Sequence, residues 1–282
     1  MSDGLIIDLH SHSLYSDGTL SPCDLITRAH ENGVNVLALT DHDEVKGLHE
    51  AKNRADELGL KLINGVEISV SWRRNQTIHI VGLNIDPQNT ALLEGLQLIR
   101  DERIRRAKKI SEKLEKAGVA NAWETVTHSA GFEAVTRTHF ARFLVDNGHA
   151  KDMQQCFKKY LGNKGRAYVN GHWVSLADAV GWIVAAGGEA VIAHPTRYKL
   201  TKTKLEALVL DFKESGGRGL EVVGQRFTEK EKSEMASLAR RHELFSSVGS
   251  DFHQPGNPYV ELGRGLDLPL DCTPIWSQWG IQ

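Results

Sequence analysis

Nine side chains of types that bind metal ions are spread through the chain: His10, His12, Asp17, His42, Glu67, His79, His194, Asp251 and His253. Nearly all follow a short apolar run: Leu5-Ile6-Ile7, Val36 to Leu39, Leu62-Ile63, Ile78, Ala190 to Ala193, and Phe245 to Val248. Short β-rich runs read as buried strands. A ligand at the end of strand after strand is how a barrel assembles one shared site from distant pieces of chain. His10 and His12 are two residues apart, which in a strand places both imidazoles on one side. Asp17-Gly18 sits in a turn able to fold a carboxylate over the same mouth. Mixed imidazole and carboxylate donors suit zinc, manganese or iron rather than a thiolate structural zinc. The set exceeds what one ion needs, so two or three divalent ions are expected, with Glu67 as the bridging carboxylate. Closely spaced ions hold a nucleophilic hydroxide and clamp a phosphoryl oxygen.

Seven strands are expected to position these groups, around 5–10, 35–40, 60–67, 76–83, 188–193, 218–223 and 244–250. Helices separate many of them. Ser21-Pro22 opens one helix, which Gly33 ends. A helix over 45–58 closes at Gly59, Ser175 and Asp178 cap one over 176–186, and Thr228 caps one through about 241. Alternating strands and helices argue an α/β fold with a mainly parallel sheet. The alternation breaks between 90 and 165, where the chain reads as helical and charged, with a long helix over 90–117 and shorter ones over 138–147 and 152–161. This segment is expected to be an insertion, a lid of residues 90–165 on a barrel made of 1–89 and 166–282.

Composition narrows the function classes. The 282 residues are 40% hydrophobic and 25% charged, with a formal net charge of −2. That balance shows no global basic excess for long nucleic acid. No apolar stretch approaches the roughly 20 residues that span a bilayer. The first residues lack the basic start and long apolar middle of a leader peptide. Three widely spaced cysteines, Cys23, Cys156 and Cys272, suggest neither a disulfide framework nor a zinc knuckle, and fit a reduced cytoplasm. No obligate protein partner is indicated.

Taken together, Asp8-Leu-His10-Ser-His12 with Ser16-Asp17-Gly18, Thr40-Asp41-His42, Gly65-Val-Glu67, His194-Pro195 and Gly249-Ser-Asp251-Phe-His253 resemble, in order and spacing, the motifs of the PHP (polymerase and histidinol phosphatase) family of metal-dependent phosphoesterases. The resemblance implies a distorted (β/α)7 barrel. It implies one ion on His10, His12, Glu67 and Asp251, a second on Glu67, His79 and His194, and a third on Asp17, His42 and His253. It also implies Asp8 and Asp41 as carboxylates that orient imidazoles from behind. Val135 to Ala141 and Ala193 to Tyr198 are similar to single-domain bacterial members that act as nucleoside 3′,5′-bisphosphate phosphatases, with 5′-end trimming of short RNA as a further implied activity.

The expected reaction is therefore phosphomonoester hydrolysis by metal-bound hydroxide, manganese being the expected ion, with the 3′-phosphate of a nucleoside 3′,5′-bisphosphate as target. Arg100, Arg103, Arg137, His139 and Arg197 are the candidate substrate-binding residues, because guanidinium groups clamp phosphate bidentately. The run from Arg100 to Arg106 also reads as a solvated charged helix face. Asp17 and His139 are the candidate proton donors to the leaving oxygen. Trp72, Trp123, Phe132 and Trp173 could stack on a base, although core packing is the simpler reading. The alternatives are a 5′→3′ exonuclease on short oligonucleotides, a histidinol-phosphate phosphatase, and a non-catalytic binding module.

Overall fold

The computed structural model describes residues 4–73, 76–130 and 135–281. The chain enters through a short strand β1 (Ile7–Asp8), then α1 (Pro22–Glu31), β2 (Val36–Leu39) and α2 (Leu48–Leu58). Ser21 caps α1 by accepting the Asp24 N–H, with Pro22 in the first turn, where no backbone donor is needed. Gly59 ends α2 in the left-handed conformation at φ +69°. Strands β1, β2 and β3 (Lys61–Trp72) pair in parallel, and all four residues of β2 are buried.

Here the chain departs from a regular barrel. β3 does not end at 67 but runs on to Trp72, then pairs antiparallel with β4 (Gln76–Leu83). β4 is also antiparallel to β6 (Glu189–Ile192), while β7 (Gly219–Gly224) and β8 (Phe245–Gly249) resume parallel pairing. A two-residue strand, β5 (Val174–Ser175), pairs with the far end of β3. Leu9 N–H donates to the Val248 carbonyl and Asp251 N–H to the His10 carbonyl, which brings β8 back beside β1. The result is a nearly closed seven-strand barrel, as expected, but β4 runs against both neighbours. Glu67 and His79 consequently lie inside strands rather than at strand ends. The register sets Ser69 opposite His79 and Val81 opposite Glu67. Side chains two apart share a face, so Glu67 and His79 are diagonal neighbours on one side of the hairpin.

Helix α3 (Thr90–Lys116) matches its expected span, and Asn89 caps it by accepting the Leu92 N–H. Then follow α4 (Ala122–Ala130), which was not expected, α5 (Arg137–Asp146), and α6 (Met153–Cys156), which continues as a π-helical turn over 157–161. α7 (Leu176–Ala185), α8 (Lys202–Glu214) and α9 (Glu229–Arg241) return the chain to the barrel. Two hydrophobic cores form, and α3 serves both. Its Leu92, Leu96 and Ile99 join the barrel core, whereas Ala107, Ile110 and Leu114 join a second core with Phe140, Leu144 and Leu161. Between these two halves lie Arg100, Arg103 and Arg106, only 8%, 7% and 8% exposed. Spacing of three keeps them on one face, and that face is the seam between the cores rather than a solvated surface.

Close contact of α3 with α7 depends on Gly95: a Cβ there would lie 2.4 Å from the Trp182 ring. Alanine would otherwise gain about 1 kcal/mol of helix propensity at an interior position. Overpacking costs about 1–3 kcal/mol, so Gly95→Ala is expected to lower the denaturant midpoint with an unchanged slope. A stabilised variant would mean that Trp182 swings aside at no cost.

Candidate metal centre and adjoining pocket

All nine expected metal-ligand side chains converge at one mouth of the barrel. The centre of the group is Glu67, fully buried on β3. Its Oε1 lies 2.9 Å from His79 Nδ1 and 2.9 Å from His194 Nε2. Its Oε2 lies 2.8 Å from His42 Nδ1 and 3.4 Å from both His10 Nε2 and His12 Nε2. Asp251 Oδ1 stands 3.1 Å from His12 Nε2, and Asp17 Oδ1 stands 3.2 Å from His253 Nε2. The donor atoms fall into overlapping groups: His12, Asp17, His42 and His253; His10, Glu67 and His194; His10, His12 and Asp251; His42, Glu67 and His79. Within each group the donors are within 4.8 Å of one another.

The donor chemistry fits divalent cations. Asp17 Oδ1, His42 Nδ1 and Glu67 Oε2 are buried without a hydrogen bond of good geometry, although charged neighbours approach closely. Buried acceptors left this way cost about 1–3 kcal/mol each, and a cation between them satisfies several at once. Burial and the neighbouring His253 push His12 down to about 3, so its ring is neutral and its lone pair is available. Against burial, Asp17 and Asp251 pull His253 up to about 9, a measure of how strongly these carboxylates favour positive charge.

The supporting carboxylates differ from expectation. Among the described residues Asp8 contacts no imidazole. It accepts the N–H groups of His10, Ser250 and Gly263 at 3.4, 2.9 and 3.0 Å, tying the first strand to the last loops. Asp41 accepts the Ser13 N–H at 2.7 Å and the Ser13 and Ser16 hydroxyls at 2.5 Å, and reaches His12 only through Ser16, whose Oγ is 3.5 Å from Nδ1. The carboxylate that does hold a ring is Glu221, which sequence reasoning missed. Its Oε1 is 3.2 Å from His10 Nδ1, and its Oε2 accepts the His194 N–H. The register of β7 shifts just after Glu221, and such bulges re-aim side chains. The available signal was an acid inside the apolar run Leu220-Glu221-Val222-Val223.

A cavity of about 280 Å³ opens from this cluster toward α3 and the start of α5. Arg103, Arg137 and Arg197 line it, together with Arg106, which was not foreseen. Arg103 donates to Asp43 Oδ2 at 2.6 Å and to Ser69 Oγ at 2.9 Å, so its charge is already neutralised. Arg197 pairs with Asp251. Arg100 is not on the cavity: it donates to the Asp43 carbonyl and to Gln97, bracing α3 against the barrel. His139 is also turned away from its expected role. Its Nδ1 accepts the Thr136 N–H at 3.1 Å in the α5 cap, and burial pushes it down to about 4, leaving a neutral ring unsuited to protonate a leaving group. Asp17 belongs to the charged cluster itself. Burial would raise it, but His253 and His42 hold it well below the usual carboxylate range. Its other contacts tie it to the insertion: Thr136 Oγ1 donates to Oδ2 at 3.3 Å and Arg142 to its carbonyl at 2.8 Å. Of the aromatics, Trp173 lines the cavity, Trp72 sits in the barrel core and Trp123 packs on the insertion core. Phe132 lies outside the described residues.

The PHP domain profile matches residues 8–190. The chain belongs to the PHP family. Over 273 residues it is 48% identical to a 3′,5′-nucleoside bisphosphate phosphatase of Chromobacterium violaceum, covering 96% of this chain and 95% of that protein. Over 284 residues it is 45% identical to a 5′-3′ exoribonuclease of Escherichia coli, covering 99% and 96%. The solved structure of an amidohydrolase from Chromobacterium violaceum, with bound sulfate and no metal, has a TM-score of 0.93 at 48% identity, covering 97% of this chain and 95% of that one. Among the described residues, no helix is long and apolar enough to cross a membrane.

Glu221 gives a direct test. Both of its partners present N–H groups when His10 keeps Nε2 free for an ion, and a carboxamide has only one acceptor oxygen. Glu221→Gln is therefore expected to weaken divalent-ion binding by about 10–100-fold, measured by calorimetric titration of metal-stripped protein whose circular dichroism matches the parent. Unchanged affinity would mean that His10 needs no support.

Proposed function

We propose that the protein is a metal-dependent phosphoesterase that removes the 3′-phosphate from nucleoside 3′,5′-bisphosphates. The observation that carries this reading is one cavity with a histidine–carboxylate cluster at one end and guanidinium groups at the other. A substrate with two phosphates satisfies both ends. The 3′,5′-nucleoside bisphosphate phosphatase at 48% identity supports it.

In this reading His10, His12, Glu67 and Asp251 hold one ion, Glu67, His79 and His194 a second, and Asp17, His42 and His253 a third. Manganese is the proposed ion, and zinc and iron share its donor preferences. Divalent ions bound there supply Lewis acidity toward a phosphoryl oxygen and lower the pKa of a coordinated water. The chain supplies the rest. Arg197, beside Asp251, faces the developing charge on the equatorial oxygens. Arg103 and the first turn of α5 form the wall against which the sugar is oriented. With His139 serving as a cap, solvent water is assigned the protonation of the leaving oxygen.

Residues 90–165 act as the lid, and 1–89 with 166–282 as the barrel. The lid roofs the cavity, which suits a mononucleotide or the end of a short strand rather than long nucleic acid. A cytoplasmic setting, with the three cysteines reduced, and no obligate protein partner belong to the same proposal. Trimming of short RNA from a 5′-phosphorylated end is the second reading, favoured by the exoribonuclease at 45% identity. A histidinol-phosphate phosphatase has no use for a second cationic end, and an inert module has no use for a complete donor set.

The test measures product release from adenosine 3′,5′-bisphosphate, histidinol phosphate and a 5′-phosphorylated dinucleotide with manganese present. The bisphosphate is expected to turn over fastest, with activity abolished by a chelator and restored by manganese. Preference for the dinucleotide would replace the phosphatase reading with the exonuclease one. No turnover of any of the three would sink the enzyme reading.

A further inference from the structure

The last rung between β4 and β6 is made through a side chain. The register pairs Ile80 with Ile192, so His79 and Ala193 come next. A hydrogen-bonded antiparallel pair exchanges two backbone bonds. One of them is direct: the Ala193 N–H donates to the His79 carbonyl at 3.1 Å. In place of the other, the His79 N–H donates to the Tyr198 phenol oxygen at 2.9 Å, and that hydroxyl donates to the Ala193 carbonyl at 2.7 Å. The His79 carbonyl, at 3.4 Å, is the more distant acceptor for the same proton. Tyr198 reaches this position because the chain doubles back after β6. His194 and Lys199 are both left-handed, at φ +29° and +49°, and a 3-10 turn over Pro195–Tyr198 lies between them. Positive φ is uncommon outside glycine and persists where the surroundings fix it. The Tyr198 ring also meets the His194 imidazole edge-on, with centres 5.5 Å apart and planes at 61°.

We infer that Tyr198 is a positioning residue whose hydroxyl, inserted as a spacer between β4 and β6, sets the separation and aim of His79 and His194. This rests on the reading above in which those two imidazoles share one ion with Glu67. Both present a nitrogen 2.9 Å from the same Glu67 oxygen, with ring centres 5.3 Å apart and planes at 72°. His79 stands on β4 and His194 just past the end of β6, so the strand spacing at this rung decides whether both nitrogens converge. A direct backbone bond spans about 2.9 Å. Two bonds of 2.9 and 2.7 Å in series hold the His79 N–H and the Ala193 carbonyl further apart than that. Without the hydroxyl the rung either closes directly, drawing the two ligands together, or leaves a buried donor and acceptor unmatched. Both outcomes disturb a constellation that must be held to within about 0.5 Å.

The test is Tyr198→Phe, which keeps the ring and removes the hydroxyl. Manganese binding to metal-stripped protein is followed by calorimetric titration for the parent, Tyr198→Phe, His79→Ala and the double variant. His79→Ala identifies the binding step that depends on this pair. Tyr198→Phe is expected to weaken that same step roughly 10–100-fold and to leave the other steps within about threefold. Added to His79→Ala, it is expected to change manganese binding no further, because the two substitutions act on one site. In turnover, kcat of Tyr198→Phe should fall at limiting manganese and recover in excess, with KM for the phosphate ester unchanged. Equal weakening of every step, or loss of the fold, would overturn the inference and leave Tyr198 as a brace for the barrel. Unchanged binding at every step would overturn it as well. A parent that binds no manganese would defeat the metal-centre reading itself, and the inference with it.

Discussion

A buried carboxylate cannot stand alone, and Glu67 is buried completely at the centre of the barrel mouth. Five imidazoles come within 3.5 Å of its two oxygens, and they arrive from β1's exit, β2's exit, β4 and β6's exit. Each of those segments must hold its register for the charge to be matched. The antiparallel hairpin of β3 and β4 is one part of that solution, because it places His79 diagonally across from Glu67 without a crossover. The bulge in β7 is another, because it lets Glu221 hold the far side of the His10 ring. The barrel's irregularity is thus located where the carboxylate needs it.

A second buried charge joins the barrel to helix α3. Asp43 follows the ligand His42 directly, sits at φ +55°, and accepts from Arg103 and from the Ser69 N–H. Arg103 lies on α3, a helix shared by both hydrophobic cores. The placement of α3 is therefore referred to the same loop that carries a metal-ligand side chain. Asp17 provides a second such reference through Thr136 and Arg142. The chemistry of the mouth and the shape of the pocket above it are fixed by common residues.

How much of this was readable in advance follows from the range of each interaction. The donor set was legible because its spacings are local: His10 and His12 are two positions apart, as are Asp251 and His253. Helix caps such as Ser21 and Thr228 were legible for the same reason. The direction of β4 was not, since an apolar run looks the same in either orientation. The end of β3 was missed because pairing with β4 and β5, rather than its own composition, carries it to Trp72. Asp8 was misread because its partners Ser250 and Gly263 lie more than two hundred residues along the chain. His139 was misread because capping boxes usually carry Glu or Gln at that position. The burial of Arg100, Arg103 and Arg106 could not be seen either: a charged helix face gives no sign of which neighbour will cover it.

The strands that close the barrel come from opposite ends of the chain, and β1 is only two residues long. Beyond them, His10 and His12 meet Asp251, His12 and Asp251 being 239 residues apart in sequence. An ion held by these three would act as a cross-link between the two ends of the polymer. Closing a covalent loop of comparable length removes roughly 5 kcal/mol of chain entropy from the unfolded state, and an ion that binds only the folded chain shifts the equilibrium in the same direction. The reaction centre of such a barrel is also its clasp, and a cell's supply of divalent ions sets how tightly the molecule is fastened.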